Sequence, residues 1–358
     1  MFSATISADC EAAVAGLGAR LGPLSGSRIL VTGAGGFLCS YVVDVIAKWN
    51  ETSAQRPCHI TALDNLTTGS WQRLSHLAGR DDVDLVEHDI TQPLDPSLKP
   101  DWIIHGASIA SPTIYRRHPL KTLDANIGGT RNVLEAARAN RSTGVLVMSS
   151  SEIYGDPDPT HIPTDETYLG NVASIGPRAC YDESKRVAET LSFIYSSYFD
   201  VPVRAIRPFN VFGPGQNLKD GRIIPDMMSN VLDGNSITLF SDGQATRSFC
   251  YVTDAVQAML ALMVAPDIDA IAFNVGNDEV EVSIRDLAEV MCEIASDVAG
   301  HKTCAVEFAR SDDENYTVDN PQRRCPDLSR IRQAVGYVPK VGLREGLSRT
   351  LRSYLELR

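Results

Sequence analysis

The chain has 358 residues, 43% of them hydrophobic and 22% charged, and its 33 Lys and Arg against 45 Asp and Glu give a net charge of −12. That apolar content excludes intrinsic disorder, and a chain of this length buries roughly three quarters of its unfolded surface without disulfide or metal staples. The acidic balance, with no basic stripe, excludes a general nucleic-acid binder, and no apolar run approaches the ~18 residues that span a bilayer, so neither nucleic acid nor membrane is an expected partner.

Residues 1–26 are rich in Ala, Gly and Ser and run out in the stretch PLSGS that ends at Ser27. They read as a short helix and a linker. Asp9 and Glu11 stand where a secretory leader would carry a basic start and an apolar stretch. The cysteines, Cys10, Cys39, Cys58, Cys180, Cys250, Cys292, Cys304 and Cys325, form no CxxC pair and show no zinc spacing. Scattered in this way they are expected to be reduced thiols of a cytoplasmic protein, and no metal site is expected.

The pattern changes at Arg28. Arg28–Thr32 is a short apolar run, followed by a glycine cluster and then FLCSYVVDVIAKW, which predicts strand, tight turn and helix. Further strands are predicted at His59–Leu63, Val83–Val86, Trp102–His105, Gly144–Met148, Val203–Arg207 and Ala272–Val275, with helices over about 121–140 and 181–199. This alternation predicts an α/β fold, a Rossmann-type doubly wound parallel sheet with a smaller C-terminal substrate lobe. The expected division is an N-terminal extension over 1–26 and an NAD-binding domain over 27–205. That domain also receives strands near 203–212 and 271–276, and a discontinuous lobe spans mainly 213–358.

The glycine cluster is Thr32-Gly33-Ala34-Gly35-Gly36-Phe37-Leu38-Cys39. A helix that starts directly after a strand aims backbone N–H groups and its positive dipole end at an anion. Glycines permit the sharp turn and the close approach of a pyrophosphate. Gly33, Gly35, Gly36, Phe37 and Leu38 are therefore the expected phosphate cradle. Cys39 stands where a third glycine usually serves helix–strand packing, so a tolerated packing change is expected. Asp64 ends the second predicted strand, farther from Gly33 than the usual ~20 residues; the polar insertion Asn50–Pro57 accounts for the excess. A carboxylate there, followed by Asn65, accepts from ribose hydroxyls and repels a 2′-phosphate, which favours NAD over NADP. Asp89 and Ile90, after the third strand, are candidates to line the adenine.

Tyr181-Asp-Glu-Ser-Lys185 places Tyr and Lys four apart, on one helix face. Tyrosine near pKa 10 is a poor base at neutral pH, and a neighbouring ammonium and a positively charged nicotinamide would lower it. Upstream, Ser149-Ser150-Ser151-Glu152 closes a strand. Ser150 is placed to bond the substrate oxygen that Tyr181 deprotonates.

With these motifs together, the chain resembles the extended short-chain dehydrogenase/reductases of the nucleotide-sugar epimerase, dehydratase and decarboxylase group over roughly 27–350. The matching stretches include VTGAGGFL, HGASIASP, NIGGTRNVLEAAR, SSEIYGDP, YDESKRVAE, IRPFNVFGPG, FCYVTDAV and NVGN. SIGPRACYDESKRVAET, DGRIIPDMM, QATRSFCYVTD and DNPQRRCPDL most resemble UDP-glucuronate decarboxylases. The resemblance implies NAD as cofactor, with Ala107 and Asn126 added to the residues that hold it. It also implies a nucleotide-sugar substrate, a UDP-sugar in the first place, and a homodimer built on the helices near 121–140 and 181–199. By resemblance, a 4,6-dehydratase carries Asp-Glu after its hydroxyl residue, and a simple 4-epimerase lacks the Glu. Ser150-Ser151-Glu152 matches the decarboxylase pattern, with Ser in place of the more frequent Thr. Asn210 and Arg222 are then expected at the diphosphate, and Arg247 and Arg323 or Arg324 at phosphate, ribose or carboxylate. Ser151 and Arg178 are expected on the sugar side. Taken singly, each arginine reads as a surface charge.

The implied reaction is decarboxylation of UDP-glucuronate to UDP-xylose through a 4-ketone, with NAD recycled internally. Tyr181, Lys185, Ser150 and Glu152 are its catalytic residues. The alternatives are a 4-epimerase or 4,6-dehydratase on another UDP- or dTDP-sugar, or an oxidative decarboxylase that releases the 4-keto pentose. A non-catalytic NAD-sensing relative would be expected to lose Tyr or Lys from the motif, and both are present.

Overall fold

The computed structural model describes residues 2–358 apart from 267, 301–303 and 311–320, so Asp319 and Asn320 of DNPQRRCPDL lie outside the described residues. After a first helix, α1 (Ala4–Leu17), the chain enters β1 (Arg28–Thr32), α2 (Phe37–Thr52), β2 (His59–Asp64), β3 (Val83–Glu87) and β4 (Trp102–His105). It continues through α3 (Thr130–Asn140), β5 (Gly144–Met148), α4 (Ala179–Phe199) and β6 (Val203–Pro208), and then α5 (Val252–Val264), β7 (Ala272–Val275) and α6 (Leu343–Glu356). These strands form one seven-stranded sheet, β7-β6-β5-β4-β1-β2-β3, parallel throughout.

Alternating side chains on each strand go to opposite faces. Ile29, Val31, Ile104, Leu146 and Ile206 pack on one face with residues of α1, α2 and α5. Leu30, Ile103, Val145, Val147 and Val203 pack on the other with Val133, Leu134 and Ala137 of α3 and Ala188 and Tyr195 of α4. Burial on both faces explains why the strands read as continuous apolar runs. The strand order reverses between β1 and β4, so their C-terminal ends, at Thr32 and His105, flank a crevice. Smaller sheets pair the later segments. Thr246–Ser248 lies between Glu281–Ser283 and Arg323–Arg324, and Ile237–Leu239 pairs with Val306–Phe308.

Two expectations need correction. Residues 1–26 are not a helix followed by a linker. After α1, Gly18–Leu24 continue as a 3-10 helix, and Ile6, Cys10, Ala13, Leu21 and Leu24 have no exposed surface at all. Asp9, also buried, accepts from the hydroxyls of Tyr251 at 2.6 Å and Tyr41 at 3.3 Å and from Arg349 at 3.3 Å. The segment thus joins α2 to α5 and α6. Nor are all cysteines free: Cys292, on the helix Ile284–Ala299, is disulfide-bonded to Cys304, with Cα atoms 5.2 Å apart. That helix folds back against the strand Val306–Phe308, so a spacing with no motif character becomes a contact.

Leu21→Ala is expected to lower the unfolding free energy by about 2–5 kcal/mol in urea denaturation; a linker position would show no change.

Candidate active site

The turn after β1 is shaped by close approach. Gly33 has φ +71°, and a Cβ there would lie 2.6 Å from the amide nitrogen of Ala107. A Cβ on Gly35 would lie 2.9 Å from the nitrogen of Ser70. Gly36 caps α2, whose first residues are Phe37 and Leu38. Asp64 ends β2 with its carboxylate buried over the turn, accepting from Gly35 N–H at 2.9 Å and Leu66 N–H at 2.7 Å. Burial raises its pKa, and these amides oppose the shift. Asn65 and Asp89 are exposed and hydrogen-bonded to each other, while Ile90 is buried against Gly129. Cys39 fills the third-glycine position. Its Sγ lies 3.6 Å from Met148 Sδ and closes off the space above Gly106, where a Cβ would lie 2.3 Å from that sulfur. Burial pushes the thiol up to about 12, so it acts as packing.

The C-terminal end of β5 and the start of α4 bring the proton-handling groups together. Ser150 Oγ accepts from Glu152 N–H at 3.2 Å, and the Ser150 hydroxyl hydrogen-bonds the Tyr181 hydroxyl. Lys185 donates to the carbonyl of Met148 at 2.8 Å, and its Nζ lies 5.7 Å from the Tyr181 ring centre. Burial lowers Lys185 to about 8 and pushes Tyr181 up to about 12, against the pull of Ser150. A lowered tyrosine was expected from the motif. In the chain alone desolvation of the Tyr181 hydroxyl dominates, and the Lys185 ammonium is engaged by the Met148 carbonyl at the end of β5. Asn126 donates to Ser184 Oγ at 2.8 Å, and Ser184 donates to the Tyr181 carbonyl at 2.9 Å. His105 bridges Thr32 and Thr130, and burial lowers it to about 3, so it is neutral.

Glu152 is the electrostatic centre. Its carboxylate takes a two-pronged contact from Arg324, at 2.5 and 2.9 Å, and a further bond from Arg178. Burial would raise its pKa, but the two guanidinium groups outweigh it and hold Glu152 well below the usual carboxylate range. Arg247 lies buried beside them, donating to the carbonyls of Thr246 at 2.7 Å and Pro321 at 2.5 Å; burial and Arg324 lower it to about 10. Ser151 is buried in the same turn. Arg222, before the helix Ile223–Leu232, pairs with Asp220 and adds its charge near Tyr181. Asn210 has φ +40° and donates to the Ser248 carbonyl at 2.9 Å.

Two results go beyond the sequence reading. Of the two adjacent arginines, only Arg324 joins the cluster; Arg323 is exposed and paired with Glu281, because neighbours on a strand face opposite ways. Tyr115, from Pro112–Arg117, stacks on Tyr181 with centroids 5.1 Å apart and planes 10° apart, and its buried hydroxyl has no partner among the described residues. The signal was an aromatic shortly after HGASIASP.

The profile of the NAD dependent epimerase/dehydratase family matches residues 29–276. The chain belongs to this family. Among curated relatives in Arabidopsis thaliana, UDP-glucuronic acid decarboxylase 3 is 39% identical over 89% of this chain and 86% of its own length. UDP-glucuronic acid decarboxylase 6 of the same organism is 40% identical over 90% and 87%. Among solved structures, UDP-glucuronic acid 4-epimerase from Bacillus cereus, in complex with UDP-glucuronic acid and NAD, superposes with a TM-score of 0.74 at 22% identity, covering 92% of this chain and 99% of that one. That likeness shows the fold.

The crevice suits the dinucleotide that the epimerase/dehydratase family uses. Buried polar atoms without partners among the described residues gather near it: Asn126 Oδ1, Ser108 Oγ and Ser149 Oγ. The glycine turn leaves a cradle that Cβ atoms would obstruct, and Asp64 offers acceptors at its edge. Among the described residues no group of three or more His, Cys, Asp or Glu is arranged to hold a metal ion.

Lys185 yields a pH prediction. Its folded pKa of about 8 is below the ~10.4 of an unfolded lysine. Between those values the unfolded chain binds the extra proton, so the Lys185 contribution to stability rises with pH, with a slope approaching ~1.4 kcal/mol per unit. Unfolding of the cofactor-free protein from pH 8 to 10 should show this rise relative to Lys185→Met, in which it disappears.

Proposed function

We propose that this chain is an NAD-dependent decarboxylase that converts UDP-glucuronate to UDP-xylose. The observation that carries the proposal is Glu152, ionised between Arg178 and Arg324 and two residues from the Ser150 that bonds Tyr181. The curated decarboxylases, which match the chain over most of its length, support it.

NAD, when bound, would supply the hydride acceptor for C4 of the sugar and the donor that later restores it. The glycine turn with Phe37 and Leu38 would hold its pyrophosphate, and Asp64 and Asn65 its ribose. Asp89 and Ile90 would hold its adenine end, and Ala107, Asn126 and Lys185 its nicotinamide end. Once the positive charges of Lys185 and of bound NAD offset the burial that raises its pKa, Tyr181 takes the proton of the C4 hydroxyl, and Ser150 donates to the oxygen that carries the charge. The resulting ketone is β to the C6 carboxylate, so the electrons of the C5–C6 bond flow to the ketone oxygen as CO2 leaves. Ser150 and the reprotonated Tyr181 stabilise that enolate. Glu152 is ionised and has no proton of its own to deliver to C5, so its role is to order the water that does. Arg178, Ser151 and Arg324 face the sugar, and Asn210, Arg222 and Arg247 face the diphosphate and ribose. The exposed position of Arg323 leaves it outside this set.

The sugar nucleotide lies between the C-terminal edge of the sheet and the later lobe. The protein acts as a cytoplasmic homodimer through α4 and the segment before α3, where Leu120, Phe193, Tyr198 and Phe199 are exposed. Among the described residues no helix is long and apolar enough to cross a membrane.

Protein incubated with NAD and UDP-glucuronate should yield equal amounts of CO2 and UDP-xylose with no net reduced nicotinamide. Tyr181→Phe should lower kcat by about 10²–10⁴-fold. Formation of UDP-galacturonate without CO2 would assign a 4-epimerase instead, and a 4-keto pentose with net reduced nicotinamide would assign an oxidative decarboxylase.

A further inference from the structure

Three side chains from the motifs have no part in the mechanism above: Tyr154 of SSEIYGDP, Arg207 of IRPFN and Asn274 of NVGN. All three are buried, at 1%, 8% and 0% exposure, and they form one continuous chain of hydrogen bonds. Glu189 lies one helical turn beyond Lys185 on α4. Arg207 donates to both of its carboxylate oxygens, at 2.8 and 2.6 Å. The same guanidinium donates to the Tyr154 hydroxyl at 2.7 Å and to the Glu166 carbonyl at 3.2 Å. Tyr154 donates to Asn274 Oδ1 at 2.7 Å. Asn274 Nδ2 donates to the carbonyls of Thr164 at 2.8 Å and Asp327 at 3.0 Å, and its backbone N–H is taken by Glu166 Oε1 at 2.7 Å. Thr164 in turn pairs with the stretch after Arg324, through Thr164 N–H to the Cys325 carbonyl and Asp327 N–H to the Thr164 carbonyl, each at 2.9 Å.

The middle and one end of this chain lie close in sequence to the Glu152–Arg324 ion pair. Tyr154 follows Glu152 by two positions, and Asp327 follows Arg324 by three. The pair itself joins segments far apart in sequence that share no main sheet, and beside the backbone bonds of Thr164 these side chains link the two. The Arg207 fork, the Tyr154 hydroxyl and the Asn274 amide are all engaged within the protein, which makes the network rigid and suits it to holding its neighbours in place.

We propose that Arg207, Tyr154 and Asn274 are positioning residues that set the spacing of Glu152 and Arg324 relative to Tyr181 and Lys185. They act on the decarboxylation and reprotonation half of the reaction more than on substrate binding, which Asn210, Arg222 and Arg247 carry at the diphosphate and ribose. The proposal rests on the decarboxylase reading. Its signature is uncoupling: with Glu152 and Arg324 displaced, C4 is still oxidised, but the ketone is held poorly through CO2 loss and C5 protonation and part of it escapes. Each ketone that escapes leaves one hydride on the cofactor, so one reduced nicotinamide accompanies each released 4-keto pentose.

The test is Tyr154→Phe, which removes only the bridging hydroxyl, and Arg207→Lys, which keeps the charge and removes the fork. Tyr354→Phe, which deletes a hydroxyl bonded to the Gln216 carbonyl at 2.6 Å outside the network, is the control. Activities are normalised to the folded fraction from thermal melts. Both network variants should show kcat for UDP-xylose about 10–100-fold lower, KM for UDP-glucuronate within about two-fold of the parent, and a larger share of 4-keto pentose with matching reduced nicotinamide. The control should match the parent. An unchanged kcat per folded molecule in Tyr154→Phe, or a loss of kcat with the parent's product ratio, overturns the positioning role. Absence of CO2 from the parent protein overturns the decarboxylase reading itself, so the two failures are distinct. If Tyr154→Phe does not fold, Arg207→Lys gives the same decision.

Discussion

A carboxylate in a mostly enclosed site stays ionised only where cations come to it. Glu152 meets that condition through two guanidinium groups drawn from different parts of the chain. Arg178 comes from the approach to α4, and Arg324 from a short strand near the C-terminus. The carboxylate itself sits just past β5. This contact therefore ties the sheet to the later lobe, and each partner depends on the other two. Withdrawing the Glu152 carboxylate leaves the buried Arg324 guanidinium uncompensated, which costs on the order of 3–5 kcal/mol in buried pairs. The sheet supplies a rigid edge, and the ion pair determines where the lobe meets it.

The net charge takes on a different meaning in this light. An acidic chain can build a positive pocket if its arginines are concentrated, and here Arg178, Arg247 and Arg324 lie within mutual influence. Arginine suits the task because it does not deprotonate and its planar fork matches a carboxylate or a phosphate. Their mutual repulsion is relieved by Glu152 and would be relieved further by an anionic ligand.

The seven sheet strands were legible because each is an apolar run closed by turn residues, and Tyr181 and Lys185 because helical spacing puts them on one face. The glycine turn was legible because few residue types permit so close an approach to Ala107. What escaped was set by tertiary packing. The Ala-rich α1 has a weak amphipathic contrast, so nothing local marked it as core. Arg323 and Arg324 are identical in type, and only the strand's facing separates them. Cys292 and Cys304 are joined because a helix folds back on a strand. Tyr115 reaches Tyr181 only through the path of the turn at Pro112. The expected lowering of Tyr181 is absent from the chain alone because burial opposes it, and spacing in sequence does not report desolvation.

The packing of α1 has a consequence for the order in which the protein is made. Synthesis runs from the N-terminus, and domains fold as their segments emerge. Yet α1 is covered by α5 and α6, and Asp9 finds Tyr251 and Arg349 only at the far end of the chain. Helix α1 is thus made well before the two helices that complete its burial. Its apolar side, with Ile6, Cys10, Ala13, Val14 and Leu17, can meet α2 early but is closed only when α5 and α6 have been made.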